Sequence, residues 1–524
     1  MSRGQSSFVK QAAILAAATL FARFIGFLYR VPLTNLIGDE GNALYGVGFQ
    51  FYLFLLVLSS AGLPSAVSKM VSERMAKGQY LSAHGVFKSA MIVAITFGAV
   101  GSLLLWVMAG HFALWFGYPG SVYAIRAIAP AVLIVAVMAV FRGYFQGMNN
   151  SVPTALSQVA EQFFNAVFKV WLAFIFIEQI EFAAAGATFG TVIGAFIGLL
   201  TLLGIYRLLS RKIKIRMRRD TTGITEKPGA VIKEVVSTAF PIILGAAIYS
   251  IANFIDMAMV SHRMAASGAF TQCEIDTLYG QLTGKFIVLT TLPVSISTAL
   301  SIAVLPSIAG STVTHDRKAV AEKVKHAMRL SSLISIPSAV GLSVMAGPIL
   351  LLLFPNYPEG AILLQAGAVS VIFLSLVQVA TGALQGIGKI MVPVIAAGAG
   401  ALVKIPLNYV LIAMPEINVV GAVISTVVCY FLAAVINISC LKKFTGIKID
   451  WTGVFIKPLA AALMMGLTCF ISYYVIMAVL FDCNTIATLF SVGMGMAMYL
   501  AILVLLGGLN KGDVRRLPLL RKLV

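Results

Sequence analysis

Residues 89–109 read SAMIVAITFGAVGSLLLWVMA, 21 consecutive positions without a charged side chain. At 1.5 Å per residue a helix of that length spans about 30 Å, the thickness of a bilayer's hydrocarbon core. A strand of a membrane barrel needs only about ten residues and alternates apolar with polar positions. This run is twice as long and continuously apolar, so it predicts a transmembrane helix. Working outward, comparable runs lie near 12–37, 49–67, 122–145, 153–177, 184–206, 236–260, 281–305, 330–353, 361–385, 391–412, 419–441, 456–480 and 486–507. They predict an all-α integral membrane protein of about fourteen crossings. Composition agrees, because 60% of the 524 residues are hydrophobic and 11% are charged, with a mean hydropathy of +0.96. A soluble enzyme carried on a single anchor is excluded by that balance. The run at 12–37 is interrupted by Arg23 and Arg30 and lacks an A-x-A cleavage pattern, so it reads as a retained first helix and not as a signal peptide.

The net charge of +19 finds its explanation in topology. Thirty of the 38 basic residues fall in the termini and alternate loops, at Arg3 and Lys10, Lys69 to Lys88, Arg207 to Lys233, Arg317 to Arg329, Lys389, Lys442 to Lys457 and Lys511 to Lys522. The opposite loops carry Arg263 and a series of acids that includes Asp39, Glu40, Glu178, Glu181, Glu274 and Asp276. Such one-sidedness places both termini in the cytoplasm and requires an even number of crossings. The basic stretch RKIKIRMRR (211–219) has two readings, a positive-inside linker and a docking site for anionic lipid headgroups. No nucleic-acid-binding module is present in the sequence. The five cysteines are scattered without a C-x-x-C pair, and the five histidines lie in or near loops without metal-ligand or nucleophile-base spacing. Neither a catalytic site nor a metal site nor a bound cofactor is expected.

An internal repeat organises the chain. Phe116-Gly-Tyr-Pro119 and Gln146-Gly147 recur as Phe354-Pro-Asn-Tyr-Pro358 and Gln385-Gly386, with the proline and glutamine pairs each 239 apart. Lys169 and Gly186-Ala187 recur as Lys404 and Gly421-Ala422, each 235 apart. Tyr45-Gly46 matches Tyr279-Gly280, and Leu63-Pro64-Ser65 resembles Leu305-Pro306-Ser307. The expected organisation is a six-helix lobe at 1–206, a basic cytoplasmic linker at 207–235, a second six-helix lobe at 236–441, and two further helices with a basic tail at 442–524. Six crossings per copy give the copies one orientation, related by an axis along the membrane normal, as in transporters that rock two halves about a central site.

Specific motifs then carry a resemblance. RGYFQG (142–147), Pro153-Thr154-Ala155 with Ser157-Gln158-Val159 and Glu161-Gln162, and Arg23-Phe-Ile-Gly26-Phe27 with Gly38-Asp39-Glu40-Gly41 resemble the stage V sporulation protein B group. That group belongs to the multidrug/oligosaccharidyl-lipid/polysaccharide (MOP) flippase superfamily, with the MurJ-type lipid II flippases. The resemblance covers nearly the whole chain. It implies a V-shaped cavity between lobes, alternating access, and outward movement of a lipid-linked cell-wall sugar across the bacterial plasma membrane. A lipid-linked oligosaccharide, anionic membrane lipids and cell-wall synthesis enzymes are the partners it implies.

A pyrophosphate headgroup crosses hydrocarbon only where buried cations and polar groups replace its water. Arg23 and Arg30, seven apart, predict one face of the first helix about two turns apart, and the resemblance implies cavity-facing arginines in this segment. An alternative for Arg30 is snorkelling to the outer interface. Gln281 and Lys285 start the eighth span, near the place where MurJ-type members carry a cavity arginine. On the fifth span Gln158, Glu161, Gln162, Asn165 and Lys169 form a stripe that must face protein or a water-filled cavity. The stripe reads either as a structural network or as ion and headgroup sites, and Lys404 with Asn408 on the eleventh span shares both readings. Arg142 near the end of the fourth span reads as snorkelling or, within RGYFQG, as a substrate contact. Glu161 and Asp256, with Asn165 and Asn253, are the ion-coupling candidates, for Na⁺, H⁺ or a response to membrane potential. The spacing Gly186, Gly190, Gly194, Gly198 reads as close helix packing. A cation-coupled multidrug exporter of the same superfamily would share the fold, but its site should centre on acids, and this interior holds seven basic residues against about two acids. Capsular, teichoic or spore-cortex lipid-linked polymers are alternative cargoes.

Overall fold

The structure, a computed structural model, describes residues 17–56, 62–218, 220, 222–223, 226–313, 316–447, 450–479 and 483–508. The basic residues expected in the cytoplasmic termini, Arg3, Lys10 and those from Lys511 to Lys522, lie outside the described residues. Every regular element among the described residues is helical. The helices are α1 (Ala17–Leu28), α2 (Arg30–Leu56), α3 (Gly62–Ala76), α4 (Tyr80–Trp115), α5 (Val122–Gly147), α6 (Val152–Ile175), α7 (Ile180–Arg218), α8 (Pro228–Ser267) and α9 (Gln272–Gln281). They continue as α10 (Ile287–Val313), α11 (Arg317–Val344), α12 (Ala346–Leu353), α13 (Ala361–Gly367), α14 (Ser370–Gly386), α15 (Met391–Leu411), α16 (Val420–Thr445), α17 (Lys457–Val479) and α18 (Asn484–Leu505). Among the described residues nine helical stretches are long and apolar enough to cross a membrane, or eleven when the bent pairs α1/α2 and α13/α14 each count as one span.

The chain packs as two compact units, one made of residues up to Gly284 together with Asn408–Val419, the other of Lys285–Leu407 and the residues from Val420 onward. The repeat boundary near residue 236 falls inside the first unit, where α8 packs on α3 and α4. Within each unit the repeat shows in how glycines admit a neighbouring backbone. A Cβ on Gly143 would lie 2.8 Å from the Pro64 carbonyl oxygen, and one on Gly147 2.7 Å from Val71 Cβ, which brings α5 against α3. In the second unit Gly382 and Gly386, each 239 residues further on, seat α14 against Ser301 and Leu305 of α10 in the same way. Part of the RGYFQG run is therefore a packing motif. The second unit's core gathers Val324, Met328, Ile336, Val371, Leu376, Leu384 and Met465 from α11, α14 and α17.

Two local features depart from the expected boundaries. The loop expected between the first two spans is nearly absent, because Gly38 alone, at φ 68° and ψ −173°, turns the chain inside α2. The Asn42 amide donates to the Gly38 carbonyl at 2.7 Å, and the Thr34 hydroxyl reaches the Asn42 side-chain oxygen at 3.5 Å. In a straight helix residues 34 and 42 would be about 12 Å apart, so the turn folds the two arms of α2 back on each other. A positive φ of this kind suits glycine because it has no Cβ. The second departure is in the linker, where α7 continues to Arg218. The stretch RKIKIRM contains good helix formers, and its cations suit a helix C-terminus, so the connection between α7 and α8 begins only after Arg218.

That connection is fastened to the first unit. Arg74, at the end of α3, bridges Glu226 at 2.6 Å and Glu234 at 2.7 Å, and the Ser82 hydroxyl donates to Glu226 at 2.6 Å. The Asp220 carboxylate accepts the Leu81 N–H at the start of α4. The guanidinium of Arg74 and the Ser82 hydroxyl hold the Glu226 carboxyl below the ordinary glutamate range. A carboxylate with a depressed folded value stabilises the native state above its unfolded value, and that contribution fades as pH falls through the folded one. Arg74→Ala should therefore make the protease Glu-C cleave after Glu226 several-fold faster at neutral pH, and in the wild-type protein the protection of this connection, read by amide hydrogen exchange, should fade only below the ordinary glutamate range. Equal cleavage of the two proteins at pH 7 would show that the fastening contributes nothing.

Candidate functional site

The fold of α2 at Gly38 sets the end of the first helix against the descending arm, and here a half-buried and a buried cation, Arg30 and Lys169, share the same rings. The guanidinium of Arg30 lies 4.7 Å from the centroid of the Tyr45 ring and 5.5 Å from that of Phe49, although the residues are 15 and 19 positions apart. Tyr45 and Phe49, one helical turn apart, stack at 5.6 Å. Lys169 enters from α6, fully buried. Its ammonium donates to the Tyr45 hydroxyl at 2.7 Å and to the Tyr29 hydroxyl at 3.1 Å, over the rings of Tyr29, Tyr45 and Phe49. Arg30 Nη1 is buried and makes no hydrogen bond among the described residues.

The buried stripe on α6 explains how Lys169 gets there. Ser157, Glu161, Asn165, Lys169 and Ala173 recur every four residues and are all buried, which is one face of an α-helix. α7 covers this face with its glycines. A Cβ on Gly190 would lie 2.6 Å from the Lys169 backbone nitrogen, and one on Gly194 2.7 Å from the Glu161 carbonyl oxygen. The glycine spacing is thus close packing, laid on the polar stripe itself. Gly190→Val should push α7 off α6 and lower stability by about 1–3 kcal/mol, read as a fall in the melting temperature of the purified protein. An unchanged melting temperature would sink this account of the stripe.

One turn below Asn165 the electrostatics differ. The Glu161 carboxylate pairs with Arg142 Nη2 at 2.7 Å, while Arg142 Nε donates to the Ser157 hydroxyl at 3.1 Å. Arg142 and Glu161 pair directly, whereas Arg30 and Lys169 are held by rings and phenols, and the Glu161 carboxylate acts on Lys169 only at longer range. Aromatic faces stabilise a desolvated cation without neutralising it. The Asn165 side-chain oxygen, between the two arrangements, is buried without a hydrogen-bond partner among the described residues. Such a group of buried, charged and incompletely satisfied side chains inside a membrane-spanning unit is suited to hold an anion.

A family profile described as polysaccharide biosynthesis protein matches residues 8–312, and a MatE profile matches residues 282–410. The chain belongs to the MOP flippase superfamily. It is 30% identical to lipid II flippase MurJ of Bacillus subtilis (strain 168), with 84% of each chain covered, and 28% identical to stage V sporulation protein B of the same organism, with 99% of each covered. A solved structure of lipid II flippase MurJ in an inward closed conformation superposes with a TM-score of 0.69 at 17% identity, covering 94% of this chain and 98% of that one. An inward-facing multidrug resistance MATE family transporter gives a TM-score of 0.67 at 14% identity, covering 84% and 98%. The protein is thus a flippase of the bacterial plasma membrane, and its relatives are flippases and transporters, not enzymes.

The flippase places its other predicted site residues elsewhere. Arg23 is exposed on α1 and Arg30 is half-buried at the start of α2, with a 46° bend between the two helices. Gln281 is buried in the first unit and Lys285 in the second, across a π-helical turn at Leu282–Phe286. The Lys285 ammonium donates to the Glu359 carbonyl at 3.0 Å and lies 6.0 Å from the centre of the Phe354 ring. Lys404 is buried on α15 in the second unit. Asp256 on α8 accepts a 2.8 Å hydrogen bond from Asn408, and Asn253 is exposed. Among the described residues no group of three or more His, Cys, Asp or Glu converges as a metal site.

The aromatic members Tyr29, Tyr45 and Phe49 were missed as site residues. Tyr45 stood out only as a repeat mate of Tyr279, and aromatic residues in an apolar helix are ordinarily core. The available signal was adjacency, since Tyr29 directly precedes a membrane arginine.

Proposed function

We propose that this flippase carries a lipid-linked cell-wall sugar, a polyprenyl-pyrophosphate saccharide such as lipid II, from the cytoplasmic to the outer leaflet by alternating access. The observation that carries the reading is the pair of cations Arg30, half-buried, and Lys169, buried, which share phenols and rings and neither of which is in an ion pair among the described residues. Two cations of this kind offer a pyrophosphate the charge-assisted hydrogen bonds it gives up on leaving water. Fourteen crossings with both termini in the cytoplasm complete the topology, and the basic end of α7 faces the anionic lipids of the inner leaflet. Arg23, Arg142, Gln281, Lys285 and Lys404 are further headgroup contacts in this reading. Glu161 and Asp256, with Asn165 and Asn253, serve ion coupling, because neutralising Glu161 by H⁺ or Na⁺ releases Arg142 toward the cargo. Enzymes that make or polymerise the lipid-linked sugar are the fitting partners.

The test is complementation. The chain, expressed in bacteria depleted of their own lipid II flippase, should restore growth and outward-facing lipid II. A well-inserted protein that restores neither would exclude lipid II as cargo and move the assay to teichoic, capsular or spore-cortex lipid-linked polymers. The MatE profile over residues 282–410 and the Asp256–Asn408 pair favour a second reading, a cation-coupled drug exporter. That reading predicts drug efflux that depends on Asp256 and persists in Arg30→Ala.

A further inference from the structure

The join that leads into the span near 281–305 carries a buried carboxylate that the proposed function does not use. Asp276, on α9, is 6% exposed. Among the described residues its carboxylate accepts one hydrogen bond, from Gln272 Nε2 at 2.7 Å, and has no ion pair. The same amide donates to the Gly117 carbonyl at 2.9 Å, and so does the Ser261 hydroxyl at 2.9 Å, which ties the turn before α5 to α8 and α9. α9 also lies backbone to backbone on α2, because a Cβ on Gly280 would collide with the Asp39 carbonyl oxygen. Tyr118 completes the enclosure. It is fully buried, and its ring lies 4.9 Å from that of Tyr279, three residues beyond Asp276 on the same side of α9. Its hydroxyl feels the Asp276 charge and has no hydrogen-bond partner among the described residues.

The surroundings oppose ionisation of Asp276. Burial removes its water and Glu40 on α2 repels the anion, against the hydrogen bond from Gln272, and the carboxyl is pushed up to about 6. Asp39 stands at the same turn of α2, and Asp256 of α8 acts on Tyr279. The basic side chains of α8 supply no counter-ion, since His262 bonds the Trp115 carbonyl at 2.7 Å and Arg263 stacks on the Tyr409 ring at 3.8 Å. Gln272 and Cys273, one turn earlier on α9, are exposed, so solvent is within one helical turn of the carboxyl.

We propose that Asp276 is a proton-binding site reached from the outer face, and that the bound proton holds α9 on α2. The inference rests on the orientation and the alternating access proposed above and adds a control of release by external pH. Neutral Asp276 stays in this packing without the cost of a buried anion, and the Tyr118 hydroxyl is an acceptor available to its proton. Ionised Asp276 regains water only when α9 lifts from α2. The sign follows from linkage. A carboxyl raised in the packed arrangement favours that arrangement most below its ordinary value of 3.8, and the advantage is lost as pH rises to about 6. Across that window the lifting of α9 gains about a hundredfold, so a neutral exterior permits release and an acidic one keeps the outer end of the first unit shut.

The experiment follows amide hydrogen exchange of the full chain in lipid nanodiscs without cargo, with rates corrected for the intrinsic effect of pH. Peptides covering the α2 turn and α9 should lose at least tenfold in protection between pH 4.5 and pH 7, while peptides from α11 and α14 keep theirs. Asp276→Asn, neutral at every pH, should retain the low-pH protection at pH 7. Glu40→Gln should move the wild-type transition to lower pH, because a repelling charge is gone. Wild-type protection that ignores pH overturns the proposal, as does an unchanged transition in Asp276→Asn or a loss that α11 and α14 share with α9. If Asp276→Asn does not fold, Glu40→Gln decides, and a transition that stays in place refutes Asp276 as its origin. Because no cargo is present, failed complementation beside a pH-dependent contact refutes only the cargo reading, whereas a pH-independent contact refutes only the proton site.

Discussion

Arg30→Ala abolishes outward movement of the lipid-linked sugar in a reconstituted assay, while the protein inserts, purifies and melts within a few degrees of wild type. The size of the loss follows from the charge-assisted hydrogen bonds removed. Such bonds are worth about 1.5–3 kcal/mol each, so losing one or two reduces binding by about tenfold to more than a thousandfold. Stability is spared because the guanidinium is held by the Tyr45 and Phe49 rings and leaves Nη1 unpaired, so its removal strands no acceptor at that atom. Arg30→Lys is expected to recover only part of the rate, since an ammonium keeps the charge and loses the planar fork that matches a phosphate. Normal flipping by Arg30→Ala would end the anionic-headgroup model, whatever other variants do.

Lys169→Met separates a ligand-binding cation from an architectural one. Methionine nearly matches the buried volume and leaves the Tyr29 and Tyr45 hydroxyls free to hydrogen-bond each other. Replacing a buried charge that has no ion-pair partner removes its desolvation cost, so a hydrophobic side chain of similar size need not destabilise the fold. If Lys169 is there for the cargo, Lys169→Met melts at or above the wild-type temperature and flips at least tenfold more slowly. If Lys169 is there for the fold, the variant melts markedly lower and transport falls with it. Lys404, its counterpart 235 residues on, supplies the comparison, because Lys404→Met tests whether the repeat retains a lysine at this place for packing. Residues at functional sites commonly carry stability costs of this kind.

The site was partly legible for identifiable reasons. Charges inside apolar runs are visible without any structure, so Arg30, Lys169, Glu161 and Arg142 were named from hydropathy alone. Their pairing was not. Arg142 and Glu161 are 19 residues apart, in consecutive spans, and nothing in their spacing says that they pair while Lys169 stays with two tyrosines. Arg23 and Arg30 were placed on one face by helical periodicity, which assumes a straight axis, and the bend between α1 and α2 removes that assumption. Arg74 was counted with the cytoplasmic charges that orient the chain, yet it organises Glu226 and Glu234 from 152 and 160 positions away.

The amino-acid sequence by itself determined that this chain lives in a membrane as a bundle of helices, that it repeats, and that it carries more buried positive than negative charge. Those conclusions depend on quantities summed over windows of about twenty residues or on identities at fixed offsets, and both survive any error about how helices meet. Only the tertiary structure decided that Gly38 folds α2 onto itself, that the RGYFQG glycines pack α5 on α3, and which cations keep a partner. These are contacts between side chains distant in sequence, set by a single positive φ angle and by backbones approaching where a Cβ is missing. A hydropathy window averages over those details, and they determine whether a buried charge is neutralised or left to bind.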